Sequence, residues 1–261
     1  MQLSGQTVRA SVAEDAAALT ERLRVRVPRV HCITNAVAQN FTANVLLAAG
    51  CVPSMTLSPE EIGAFVAGAN ALLVNLGTFD AERRAAVEIA VETAAREGVP
   101  WVLDPVFVDR APARLQFARE LLKRGPQVVR LNHAEFAALA GSAPSPETVA
   151  AAARANGTVF ALSGATDLVT DGERVAVIAN GHPLMAKVTA MGCAASALVA
   201  AGLAVETDAW RASAAALTAA GVAGEVAAAK ADGPGTFAVA MIDALYRLDR
   251  ATLNSHAKVT E

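Results

Sequence analysis

Apolar positions along the chain fall into two rhythms. Short unbroken runs rich in Val and Leu, at residues 52–55, 71–75, 101–104, 128–131 and 158–163, have the length and composition of strands buried on both faces. Between them, residues 40–49, 60–67, 80–96, 114–122 and 134–140 repeat apolar side chains at three-to-four spacing, and Gly50, Gly98 and Gly125 supply helix stops. Strands alternating with helices predict an α/β fold with a mostly parallel central sheet and helices packed on both faces.

The rhythm changes after Ser163. Apolar runs at 168–170 and 174–178 flank Asp171-Gly172-Glu173, and an Asp-Gly between two such runs is a hairpin signal that puts antiparallel strands at one edge of the sheet. From Cys193 onward the pattern is helical, over 197–204, 209–231 and 236–248, and residues 253–261 read as a polar tail. No internal repeat or linker divides the 261 residues, so they are expected to form a single domain.

Composition narrows the classes of function. Hydrophobic residues make up 54% and charged residues 18%, enough for a large alanine-rich core. The formal charge of -3, with scattered basic residues, gives no electrostatic footprint for nucleic acid. Residues 1–20 lack the basic start and apolar run of a leader, and no stretch reaches the roughly 18 apolar residues of a membrane span. A cytoplasmic protein with a small-molecule partner is expected. The three cysteines, Cys32, Cys51 and Cys193, are too few and too far apart for a disulfide framework, and Cys32 and Cys51 read as small core residues.

In an open parallel sheet, ligands bind beyond the carboxyl ends of the strands. Asp104, Asn132, Glu135, Ser163 and Gly164 follow such ends. Asp104 and Glu135 could together hold Mg²⁺, a hard cation that takes few carboxylates plus water and phosphate oxygens; each alone could equally be a helix cap. The segment Lys187-Val-Thr-Ala-Met-Gly-Cys193 is a small-residue turn before a helix beginning near Ala194, suited to an anion. Cys193 would sit at the positive end of that helix, a position that lowers a thiol pKa. His31 and His182 read as packed, structural histidines, and Asn180-Gly181-His182-Pro183 as a turn.

Six segments in order carry a resemblance: His31-Cys-Ile-Thr-Asn35 with Asn40-Phe41 and Ala43-Asn44; Pro53-Ser-Met55 before Glu60-Glu61; Asn75-Leu-Gly-Thr78; Leu103-Asp-Pro-Val106; Ala179-Asn-Gly-His-Pro-Leu-Met185; and Gly233-Pro-Gly-Thr-Phe237. From about Arg29 to Leu248 the chain resembles the hydroxyethylthiazole kinase family of the ribokinase-like superfamily. The resemblance implies a three-layer sandwich and ATP- and Mg²⁺-dependent phosphorylation of 4-methyl-5-(2-hydroxyethyl)thiazole in thiamine salvage. It also implies a homotrimer with sites between subunits. By the same resemblance, Asn35, Met55 and Gly192 belong to the substrate side, Arg130 and Ser163 to ATP, Asp104 and Glu135 to magnesium, and Cys193 is the active-site cysteine that positions the attacking hydroxyl.

The chain departs from the family pattern where phosphate is expected. Ala190-Met191-Gly192-Cys193 stands for Gly-Thr-Gly-Cys, Arg130-Leu131-Asn132 for Arg-Gly-Asn, and Phe107-Val108-Asp109-Arg110 for a glycine-rich stretch. Arg110 offers either a replacement charge or a solvated surface group. These departures leave two alternatives open: a kinase of another hydroxyalkyl heterocycle, and a binder of nucleotide or thiazole with weak turnover.

Overall fold

The structure, a computed structural model, describes residues 5–260. Residues 1–4, the start of the stretch read for a leader, and Glu261, the end of the expected polar tail, lie outside the described residues.

Nine strands form one sheet in the order β2-β1-β3-β4-β5-β6-β7-β8-β9. They are β1 (Arg29–Ile33), β2 (Val52–Ser54), β3 (Ala71–Asn75), β4 (Trp101–Asp104), β5 (Val128–Asn132), β6 (Val159–Ser163), β7 (Asp167–Thr170), β8 (Val175–Ile178) and β9 (Val259–Thr260). Pairing is parallel through β6 and antiparallel from β6 to β9, so the hairpin at Asp171-Gly172 forms the expected edge.

Helices cover both faces because β3 and β4 bury every side chain and β5 and β6 expose only their carboxyl-end polar residues and Arg130. Alternate residues serve opposite sides: Leu73, Val102, Val128 and Ala161 pack with α1 (Gly5–Arg26), α2 (Gln39–Ala48), α8 (Met191–Leu203), α9 (Ala209–Ala228) and α10 (Pro234–Arg247). Leu72, Leu103, Val129 and Phe160 pack on the other side with α3 (Ile62–Ala67), α4 (Ala81–Glu97), α5 (Pro112–Leu122), α6 (His133–Ala140) and α7 (Pro146–Asn156). Burying a side chain the size of Phe136 or Phe160 contributes roughly 2–3 kcal/mol, and these two meet edge to face with ring centroids 6.0 Å apart. Alanine in α8 and α9 lets the helices approach closely: a Cβ on Gly202 would lie 3.1 Å from the carbonyl oxygen of Ala212.

Three expectations change. The helix expected near Ala194 begins at Met191, so Cys193 lies inside its first turn. The residues expected to form a polar tail instead close the fold. Helix α11 (Arg250–His256) buries Leu253, and β9 pairs with β8 through Val177↔Thr260 and Ile178↔Val259. Alternation there is carried by Leu253, Ala257 and Val259, three apolar positions among polar neighbours. Strand β1, with helices α1 and α7, adds elements to those read from the sequence.

Candidate active site

Parallel pairing brings the carboxyl ends of β1, β3, β4, β5 and β6 into one row. Asn75 at the end of β3 pairs in register with Asp104 at the end of β4, and Asn132 at the end of β5 with Ser163 at the end of β6. Ile33 pairs with Val74, so Asn35 emerges beside Asn75.

Asp104 is buried, and its Oδ2 accepts hydrogen bonds from Asn75 Nδ2 (2.7 Å) and Ser196 Oγ (2.8 Å). Asn75 Oδ1 accepts from the backbone N–H of Gly77 (3.0 Å) and from Asn35 Nδ2 (3.3 Å). With a carboxylate on one side and an N–H on the other, the Asn75 amide has one orientation. The Cys193 sulfur accepts from Asn35 Nδ2 at 3.2 Å and Asn75 Nδ2 at 3.3 Å. Asn35 Oδ1 is buried without a partner among the described residues, an acceptor that a bound ligand would satisfy. Gly77 must be glycine here because a Cβ would stand 2.7 Å from Asn35 Nδ2 and 2.9 Å from Asn75 Oδ1.

Glu135 reaches the row by a different route. Asn132 ends β5 and caps α6 with no loop between them; its Oδ1 accepts from Glu135 N (3.0 Å) and Glu135 Oε2 accepts from Asn132 N (2.9 Å), a capping box. Glu135 Oε1 also accepts from the N–H of Phe107 (3.0 Å), tying the α6 start to the loop after β4. The helix-cap reading of Glu135 therefore holds. Asp104 caps no helix.

Burial and charge repulsion both act in this pair of acids. Burial raises the pKa of Asp104 against the opposing charge of Arg130, and burial, with repulsion from Asp104, raises that of Glu135. Oxygen donors of like charge, strained by each other's proximity, fit Mg²⁺. Among the described residues no group of three or more His, Cys, Asp and Glu could hold a metal, so the pair would leave most positions to water and phosphate.

Arg130 donates from Nη1 to the Gly192 carbonyl (3.1 Å), while its buried Nε has no partner among the described residues. It shares a crevice of about 590 Å³ with Ser163, Gly164, Asp167, Asn180 and Met191. Ser163 Oγ donates to the Leu131 carbonyl (3.3 Å).

Cys193 corrects the expectation of a lowered pKa. Burial and the neighbouring Asp104 charge push the thiol up to about 11, outweighing the amide donors and Arg130. Position in the first turn of α8 does not compensate for the loss of water.

Two departures from the family pattern place residues with a Cβ in left-handed backbone. Ala190, which precedes α8, has φ 69°, and Phe107 has φ 62°. Such a conformation costs an ordinary residue about 1 kcal/mol that glycine avoids. Leu131 is buried in the face packed by α3 to α7, and Arg110 has 78% of its side chain exposed, beside Asp109; neither lines the crevice.

The structure thus brings Asn35, Asp104, Arg130, Glu135, Ser163, Gly192 and Cys193 to one rim. Met55, half-buried just past β2 at the sheet edge, lies outside their bonded network. His31 is fully buried, and His182 accepts from Leu184 N (3.2 Å) at the start of a short 3₁₀ turn, as structural histidines do. Sequence reasoning missed Asn75, Ser196 and Asp167 as site residues. Asn75 ends β3, the signal used for Asp104; Asp167 instead opens the antiparallel strand β7, where that signal does not reach; Ser196 stands one helical turn after Cys193.

The model of the hydroxyethylthiazole kinase family matches residues 20–251. A probable hydroxyethylthiazole kinase of Agrobacterium fabrum is 46% identical, covering 95% of each chain. The hydroxyethylthiazole kinase of Tolumonas auensis is 44% identical, covering 89% of this chain and 93% of its own. The solved structure of a hydroxyethylthiazole kinase protein from Pyrococcus horikoshii superposes with a TM-score of 0.90 at 37% identity, covering 94% of this chain and 98% of that one. A Bacillus subtilis pyridoxal kinase in complex with ADP, at 20% identity and a TM-score of 0.59, shares the fold.

Proposed function

The chain belongs to the hydroxyethylthiazole kinase family, and from that premise we propose that the row of strand ends around Asp104 is where it transfers phosphate. The enzyme phosphorylates the hydroxyethyl group of 4-methyl-5-(2-hydroxyethyl)thiazole at the expense of ATP, a step of thiamine salvage. In the reaction the alcohol oxygen bonds to the γ-phosphorus as the bond to the bridging oxygen breaks. ADP departs and the hydroxyl proton is released.

The observation that carries the assignment of residues is the chain Asp104–Asn75–Asn35 ending on Cys193, with one buried Asn35 oxygen awaiting a donor. In this reading the substrate hydroxyl lies against Cys193 and Asn35, and Met55 covers the thiazole ring. Gly192 keeps the entrance to α8 open for the reacting groups.

A thiol that holds its proton cannot be a strong base. A loose transition state needs alignment and charge neutralisation more than early deprotonation, so Cys193 positions the hydroxyl. Arg130 and Ser163 line one crevice; in this reading it takes the nucleotide, with the Arg130 guanidinium toward the phosphates. Magnesium, when bound, draws charge from the phosphate oxygens, and Asp104 and Glu135 are the residues that would hold it. We further place the enzyme in the cytoplasm as a homotrimer. Exposed Leu47, Val52 and Phe65 around the open β2 edge supply apolar surface for a subunit contact.

The test is product formation. Purified protein with Mg-ATP and hydroxyethylthiazole is expected to yield ADP and thiazole phosphate in equal amounts, read by chromatography. Bound thiazole and nucleotide without product would overturn the reading.

A further inference from the structure

His31 is fully buried in β1, yet it is neither bonded to the network around Asp104 nor idle. Its Nδ1 lies 2.8 Å from Ser54 Oγ and its Nε2 lies 3.2 Å from the carbonyl oxygen of Thr56. A carbonyl only accepts, so Nε2 carries the ring proton and donates it, and the unprotonated Nδ1 accepts from the Ser54 hydroxyl. One imidazole therefore grips the residue before Met55 and the residue after it.

The grip comes where the sheet ends. The register of β1 with β2 runs Arg29↔Val52, Val30↔Pro53 and His31↔Ser54, with Met55 the next residue after β2. Past that point the chain leaves the ladder, and the imidazole continues the tether from the side-chain layer. Thr56 Oγ1 adds a bond to Glu61 Oε2 (3.0 Å) at the start of α3, and the Phe65 ring from that helix packs over the imidazole with centroids 5.8 Å apart. Burial holds the ring neutral, its pKa lowered to about 4, so both bonds persist at neutral pH.

We propose that His31 is a positioning residue for the alcohol substrate: by bonding to Ser54 and Thr56 it fixes the turn that presents Met55 to the thiazole ring. The proposal rests on the placement of Met55 on the substrate side of the site. Because β2 is the edge strand, with a ladder partner on one side only within the chain, its end depends on this tether more than the inner strand ends depend on theirs.

Steady-state kinetics of the full-length enzyme decide the matter. His31→Phe keeps a ring against Phe65 and removes both bonds. It is expected to raise KM for hydroxyethylthiazole about tenfold while kcat and KM for ATP stay within about twofold. His31→Gln, which keeps a donor toward Thr56, is expected to recover KM to within about threefold of wild type. In a Met55→Ala background, His31→Phe should add no further rise, because the tether then holds nothing that touches substrate.

A folded His31→Phe enzyme with unchanged thiazole KM, or with KM for ATP raised equally, overturns the proposal. If His31→Phe does not fold, Ser54→Ala removes the Nδ1 partner from a half-buried position and should raise thiazole KM about threefold; no rise overturns the proposal. Met55→Ala alone separates the two readings. If it leaves thiazole KM unchanged, the placement of Met55 fails and the route proposed for His31 fails with it. If it raises KM while His31→Phe does not, only the role of His31 fails.

Discussion

Two amide N–H groups end on the sulfur of Cys193, while burial and the Asp104 charge keep the thiol protonated, with its pKa up to about 11. At pH 8 its thiolate should be about a hundred times scarcer than that of an ordinary cysteine. Iodoacetamide is therefore expected to modify Cys193 at about one hundredth of the rate at which it modifies glutathione, read by peptide mass against time. Modification as fast as glutathione at that pH would contradict the environment described for the sulfur. The helix-terminus argument pointed the other way because a sequence shows which helix a cysteine begins but not how much water the fold removes from it. Asp104 and Glu135 were legible because each follows a buried apolar run. Asn75 also ends such a run, but its importance lies in bonds to Asp104, Gly77 and Asn35, partners that only the parallel register brings together.

At the scale of elements, the turn into α8 holds Ala190 at φ 69° and gives it no side-chain cap. Replacing Ala190 with Gly removes the Cβ from left-handed backbone and supplies a better N-cap, at the cost of a more flexible unfolded chain. The expected net effect is stabilisation by about 0.5–1 kcal/mol, seen as a melting temperature about 2 °C higher. A lower melting temperature would show that the methyl packs favourably enough to outweigh the strain. The inner strands were readable because both of their faces are apolar. Strand β1 was harder, since Arg29 and His31 interrupt its apolar run; the need for a buried imidazole there appears only when Ser54 and Thr56 are alongside. Strand β9 is two residues long and gains its identity from pairing with β8, not from its own composition.

On the scale of the molecule, the parallel part of one sheet determines where chemistry is possible. Asn35 and Cys193 lie toward the β1 side of the row, and Arg130 and Ser163 toward the β6 side, with Asp104 at the end of the strand between. The alternation of strands and helices foretold the parallel sheet, and the Asp171-Gly172 hairpin signal its antiparallel edge; the closing of that edge by the last described residues had to be seen. Asp104→Asn tests the layout with least disturbance. An amide oxygen at this position can still accept from Asn75 and Ser196, so the shape survives while the charge is lost. The measurement is turnover of Asp104→Asn with Mg-ATP and hydroxyethylthiazole, set beside the thiazole Kd from calorimetry. Turnover is expected to fall by about a hundredfold or more with Kd changed less than about threefold. Wild-type turnover, or a loss of thiazole affinity as large as the loss of rate, would contradict the account.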